Sequence, residues 1–148
     1  ALTGIVAYLV FSMAVTSNGD PHISYYDWSN LTLKYARLVA ANWVIQTVDD
    51  AGLAGYTSLA LDQANEAHIG YYDDTEGDLK YARSRGGSWR IEIVDNAGDV
   101  GRFPSLKLDA TGRPCMSYYD ATNGDLKYAV GTSLSSAIYL PLVARQGS

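Results

Sequence analysis

The chain has 148 residues, 47% of them apolar, a formal net charge of −5 and one cysteine. That length suits a single domain, and that apolar share excludes a disordered chain. The acidic balance, with no cluster of Lys or Arg, excludes nucleic acid as a partner because phosphate binding needs a basic face; a lone Cys115 excludes an internal disulfide and a cysteine-rich zinc site.

The first fifteen residues, Ala1 to Val15, carry no charge. A signal-peptide core would follow a basic segment, and a membrane span would be an unbroken apolar run. Nothing basic precedes this stretch, and Gly4 and Ser12 interrupt it, so no membrane span is expected. The run merges instead into a repeat. Ser12-Met13-Ala14-Val15 stands 46 residues before Ser58-Leu59-Ala60-Leu61, which stands 47 before Ser105-Leu106-Lys107-Leu108.

The same spacing recurs further on. Tyr25-Tyr26-Asp27, Tyr71-Tyr72-Asp73 and Tyr118-Tyr119-Asp120 are each followed by Leu-Lys-Tyr-Ala, at 33–36, 79–82 and 126–129. A period of this size marks a repeat architecture. The units run roughly over 8–49, 55–95 and 101–144 within one repeat domain, 1–148.

The middle unit shows how each is built. Tyr56 to Asp62 alternates, with Leu59 and Leu61 on one face and Ser58 and Ala60 on the other, which predicts a strand. A turn at Gln63-Ala64-Asn65-Glu66 follows, matching Ser17 to Asp20 and Ala110 to Arg113, where Gly and Asn supply positive φ. Ala67 to Asp73 forms the second segment. Adjacent tyrosines on a strand face opposite ways, so this strand is expected to be covered on both sides. Leu79 to Arg83 is the third segment and Ser88 to Asp95 the fourth, the latter matching Trp43 to Asp49. Longer links, Asp50 to Gly55 and Asn96 to Gly101, lead to the next unit. In the last unit Ser136 stands in the Trp place, Ala137 to Val143 predicts a fourth strand held to an edge by Pro141, and Arg145 to Ser148 reads as a frayed tail.

The fold class is therefore all-β: three four-stranded antiparallel units. Four strands in about 45 residues is the size of a propeller blade, and propellers have about 4–8 blades. Three blades would close as a six-bladed ring through a homodimer. The alternative is a β-trefoil monomer, which also has three four-stranded repeats. Small Ser58 and Ala60 on a crowded inner strand favour the propeller.

Units that read Ser-Leu-Ala-Leu-Asp, then His-Ile-(Ser/Gly)-Tyr-Tyr-Asp, then Gly-Asp-Leu-Lys-Tyr-Ala, then Trp, resemble blades of a bacterial repeat β-propeller family, distantly related to sialidase-like, Asp-box propellers. The resemblance covers Ser12 to about Val94 and Gly101 to Ala129. It implies extracellular or cell-surface modules, most without an assigned activity. The Ser/Thr-x-Asp-x-Gly-x-Thr-Trp box is absent, so the resemblance by itself does not imply sialidase chemistry.

The residues that could carry chemistry also repeat. His22 and His68 occupy one repeat position, held in the third unit by Cys115; such positions sit on different blades and need not converge on a metal. Asp27, Asp73 and Asp120 are expected to accept amides of their own turns rather than to form a catalytic pair, since an active site needs one unique arrangement. Lys34, Lys80 and Lys127 are expected to pair with a nearby Asp. Thr132 to Ser136 have no histidine partner for nucleophilic catalysis. The ligand-binding candidates are Tyr26, Asp27, Trp43, Tyr72, Asp73, Trp89, Tyr119 and Asp120, because aromatic faces are apolar and their edges can hydrogen-bond. The expected function is an exported, non-catalytic binding or scaffolding module with a glycan or protein ligand and no cofactor. The alternatives are a fragment of a sialidase-like glycoside hydrolase, or a propeller segment with no independent activity.

Overall fold

The computed structural model describes residues 10–50, 52, 54–131 and 142–144. The uncharged residues 1–9, the stretch 132–141 with Ser136 and Pro141, and the tail 145–148 lie outside the described residues. Twelve strands and no helix are found among those described. The first sheet is β1 (Phe11–Val15), β2 (Pro21–Asp27), β3 (Thr32–Val39) and β4 (Asn42–Asp49). The second is β5 (Ala54–Leu61), β6 (Ala67–Asp73), β7 (Asp78–Arg85) and β8 (Ser88–Asp95). The third is β9 (Val100–Leu108), β10 (Pro114–Asp120), β11 (Asp125–Val130) and β12 (Leu142–Ala144).

Within every sheet the spatial order follows the chain order, and all neighbours are antiparallel. Among the described residues no ladder joins one sheet to another. The turns explain the meander. Asp62 Oδ1 accepts the amides of Ala64 and Glu66, both at 2.9 Å, around Asn65 at φ 59°. Asp109 Oδ1 does the same for Thr111 and Arg113 at 2.8 and 3.0 Å, around Gly112 at φ 80°. A short acidic side chain replaces the ladder partners that turn amides lose.

The sheets stack face on face. Tyr26, Leu33 and Tyr35 of the first pack against Leu59, Ile69 and Tyr71 of the second. Leu79 and Tyr81 of the second pack against Leu106, Met116 and Tyr118 of the third. Every residue of β6 is buried, whereas β2 alternates between buried and half-buried. The middle sheet is thus covered on both faces and the first mainly on one. Each large side chain so buried contributes about 1.5–3 kcal/mol from apolar area.

The first strands β1, β5 and β9 lie beside one another. Two equivalent bonds stitch them: the amide of Leu59 donates to Ser12 Oγ at 3.0 Å, and that of Leu106 to Ser58 Oγ at 2.9 Å. Small hydroxyl side chains between these strands let them approach. Gly101 marks another close approach. Its φ is +106°, and a Cβ there would stand 2.7 Å from the Leu79 Cα.

Candidate functional site: an aromatic cleft

The second strands end, and the first strands begin, at one end of the stack. There the ladders break. Pairing between β5 and β6 passes from Gly55 to Thr57 and leaves Tyr56 out. Pairing between β9 and β10 passes from Arg102 to Ser105 and leaves out Phe103 and Pro104, where proline could donate no ladder bond. Such bulges re-aim a side chain. Tyr56 has φ 36° and Phe103 φ 54°, a left-handed backbone that costs an aromatic residue about 1–3 kcal/mol. The two rings meet at 4.2 Å between centroids, yet Tyr56 stays 37% and Phe103 60% exposed.

Trp28, in the turn after β2, joins them. It is 41% exposed and stands edge-on to Tyr26 at 4.7 Å. Tyr72, at the end of β6, forms the floor. Its hydroxyl donates to Asp99 Oδ1 at 2.8 Å, and Arg102 donates to the same carboxylate from Nε and Nη2 at 3.2 and 2.6 Å. Burial, then the bond to Asp99, pushes the Tyr72 hydroxyl up to about 12, so it is neutral at physiological pH. The result is an open cleft of about 760 Å³ whose walls include Phe11, Trp28, Tyr56, Tyr72, Phe103 and Asp74. Exposed ring faces beside one carboxylate suit a flat, partly apolar ligand with hydroxyl groups.

A second, polar cleft of about 480 Å³ lies at the opposite strand ends, between the first two sheets. His22, Arg37, Gln46, Asn65 and Glu66 line it. His22 Nδ1 shares a 2.5 Å hydrogen bond with the Tyr35 hydroxyl, and His68 Nδ1 does the same with Tyr81. Burial holds both imidazoles below their ordinary value, and it pushes Tyr35 up to about 12. Among the described residues no three His, Cys, Asp or Glu side chains are grouped to hold a metal ion.

The eight candidate residues separate. Tyr72 lines the aromatic cleft, and Tyr26 backs Trp28 from a site only 4% exposed. Asp27 accepts the amides of Ser29 and Asn30, Asp73 those of Thr75 and Glu76, and Asp120 that of Asn123. Asp73 and Asp120 also take Lys80 and Lys127. Lys34 departs from the expected pairing, because its ammonium donates to Thr47 Oγ1 at 2.6 Å. Trp89 packs edge-on against Tyr35 at 5.1 Å, while Trp43 on β4 is 50% exposed. Tyr119, on the outer face of the third sheet, is 38% exposed.

Trp28, Tyr56 and Phe103 were not among those candidates. A signal existed for two of them: an aromatic residue stands two places before the repeated serine in both units, at Tyr56 before Ser58 and at Phe103 before Ser105. Pro104 added the mark of an interrupted ladder.

No family model matches the chain, and no curated protein does. Among solved structures, a fucose lectin from Kordia zhangzhouensis in complex with methyl-fucoside is similar over 93% of this chain and 99% of its own, with TM-score 0.56 and 18% sequence identity. That likeness is one of fold.

Proposed function

We propose that the chain is a non-catalytic, exported glycan-binding module and that the aromatic cleft holds the saccharide. One observation carries this reading: two neighbouring aromatic residues, Tyr56 and Phe103, occupy strained backbone and remain exposed to solvent. Strain of that kind is kept where presentation of the side chain serves a function. A pyranose stacks its apolar face on such rings and offers its hydroxyls to Asp74 and Thr57, which share the cleft. The lectin neighbour is consistent with a sugar as ligand. Export rests on the resemblance of the repeats to extracellular propeller blades.

The architecture we propose is a segment of a β-propeller. The support is that each sheet keeps its ladder to itself while the first strands of all three lie side by side. A trefoil would share ladders between units. Two copies would bring the number of blades to six, within the range of closed propellers.

A binding module is favoured over a hydrolase by the carboxylates. Glycosidases flank the scissile bond with two of them, about 5–10 Å apart. Among the described residues Asp74 is the one carboxylate lining the cleft, and Asp73 beside it is buried and tied to turn amides. Glycan-array binding tests the reading, with the Tyr56→Ala/Phe103→Ala double variant as control. The expected result is binding by the parent chain, loss of at least tenfold in the double variant, and no turnover of a fluorogenic sialoside. Undiminished binding by the double variant, or hydrolysis, would overturn it.

A further inference from the structure

The seams between sheets share one polar device. At the first seam, the Tyr71 hydroxyl donates to Asp49 Oδ2 at 2.6 Å, and Lys80 Nζ lies 3.8 Å from the same carboxylate while also bonding Asp73. At the second seam, the Tyr118 hydroxyl donates to Asp95 Oδ2 at 2.8 Å, and Lys127 Nζ lies 3.0 Å from both Asp95 and Asp120. In each case one unit supplies an acid from the end of its fourth strand. The next unit supplies a tyrosine and a lysine that are cross-strand partners.

Among the described residues, no fourth-strand acid from another sheet meets the matching half of this device in the first unit. Tyr25 and Lys34 are cross-strand partners in the same register. Lys34 turns to Thr47, and the Tyr25 hydroxyl has no hydrogen-bond partner among the described residues. The apolar surround is bare as well. Met13 is 60% exposed, where its repeat equivalents Leu59 and Leu106 are 7% and 1% exposed.

We propose that this face of the first unit is a docking surface for a repeat unit of the same type whose fourth strand ends in Asp. The inference rests on the reading of the sheets as propeller blades and is independent of the glycan cleft. Continuity with the two existing seams argues for a like sheet, and the unfilled tyrosine–lysine pair argues for its acid. A second copy of this chain supplies only part of that partner. Its third unit offers an uncovered apolar face in Tyr119, Leu126 and Tyr128, at 38%, 59% and 38% exposure, where Tyr72, Leu79 and Tyr81 are buried. Its last strand, however, sets Ala144 opposite Leu126, the place that Asp49 holds opposite Leu33 and Asp95 opposite Leu79. Covering Lys34 with alanine leaves it only the electrostatic attraction of Asp27 in its own unit and no acid from across the seam, which weakens the seam.

Ala144→Asp in the full chain restores the acid, and sedimentation equilibrium reads the result. The parent is expected to self-associate weakly and Ala144→Asp at least tenfold more tightly. Adding Lys34→Met to Ala144→Asp should remove the gain. The reversed pair, Lys34→Glu with Ala144→Lys, should retain it, and circular dichroism confirms that each variant is folded. The proposal is overturned if Ala144→Asp associates no more tightly than the parent, or if its gain survives Lys34→Met. It is also overturned if the parent is already a tight dimer indifferent to Lys34→Met, which would make the second copy the complete partner and leave the ring reading standing. Absence of association in every variant would sink both.

Discussion

The amide of Leu106 donates a 2.9 Å hydrogen bond to the hydroxyl of Ser58, joining the first strands of the second and third sheets. Ser58→Ala strips that amide of its partner in a half-buried place, which costs about 1–3 kcal/mol. Ser105, the next hydroxyl in the series, faces solvent. Ser105→Ala is therefore expected to change stability by less than about 0.5 kcal/mol in the monomer. Urea denaturation of the two variants compares them directly.

Gly101→Ala tests the close approach between sheets. The backbone at φ +106° excludes an alanine without strain, and the new Cβ would press on the Leu79 backbone rather than on a flexible side-chain tip. A loss of at least about 2 kcal/mol is expected, from strain and overpacking together. Gly86→Ala, at φ +58° with open space around the position, is expected to lose only about 1 kcal/mol.

Acid should loosen the fold through its histidines. His68 is 1% exposed, bonded to Tyr81, and held below its ordinary value of 6.5 by burial, against which the bond to Asp62 works only in part. Arg83 adds to the lowering, and the charge of Glu66 opposes it. The unfolded chain thus takes up its proton at a higher pH than the folded chain does. The stability this gives is whole above pH 6.5 and is lost as pH falls through the lower folded value. Thermal melts from pH 7.5 down to pH 5 should show a falling Tm in the parent and a smaller fall in His68→Gln.

Tyr56 gives the sharpest separation of stability from function. Its φ of 36° strains any residue but glycine, and the ring is 37% exposed, so little packing depends on it. Tyr56→Gly should leave stability unchanged or raise it by about 1 kcal/mol while it weakens glycan binding. Chemical denaturation and an array measurement on the same variant check both halves.

The sequence carried the sheets further than the site. The repeated Tyr-Tyr-Asp and Leu-Lys-Tyr-Ala strings mark β6 and β7 because burial on both faces of a strand demands large side chains in alternation. The turns at Asn65 and Gly112 were legible from their need for positive φ. The cleft was not, since Tyr56 and Phe103 matter through bulges that throw them out of the ladder, and a strand pattern assigns them to a face instead. The lysine partners were half legible: Lys80 and Lys127 do bind the Asp of their own unit, but the second carboxylate comes from the neighbouring sheet, which no spacing within a unit encodes.

The most direct test of the proposed saccharide site in the aromatic cleft is chemical-shift mapping on the ¹⁵N-labelled chain, titrated with methyl-fucoside and with the saccharide best bound on an array. The account predicts saturable shifts at the Trp28 indole and at the amides of Tyr56, Thr57 and Phe103, with His22, Arg37 and Glu66 unmoved. Shifts confined to those last three residues, or none with either sugar, would contradict it.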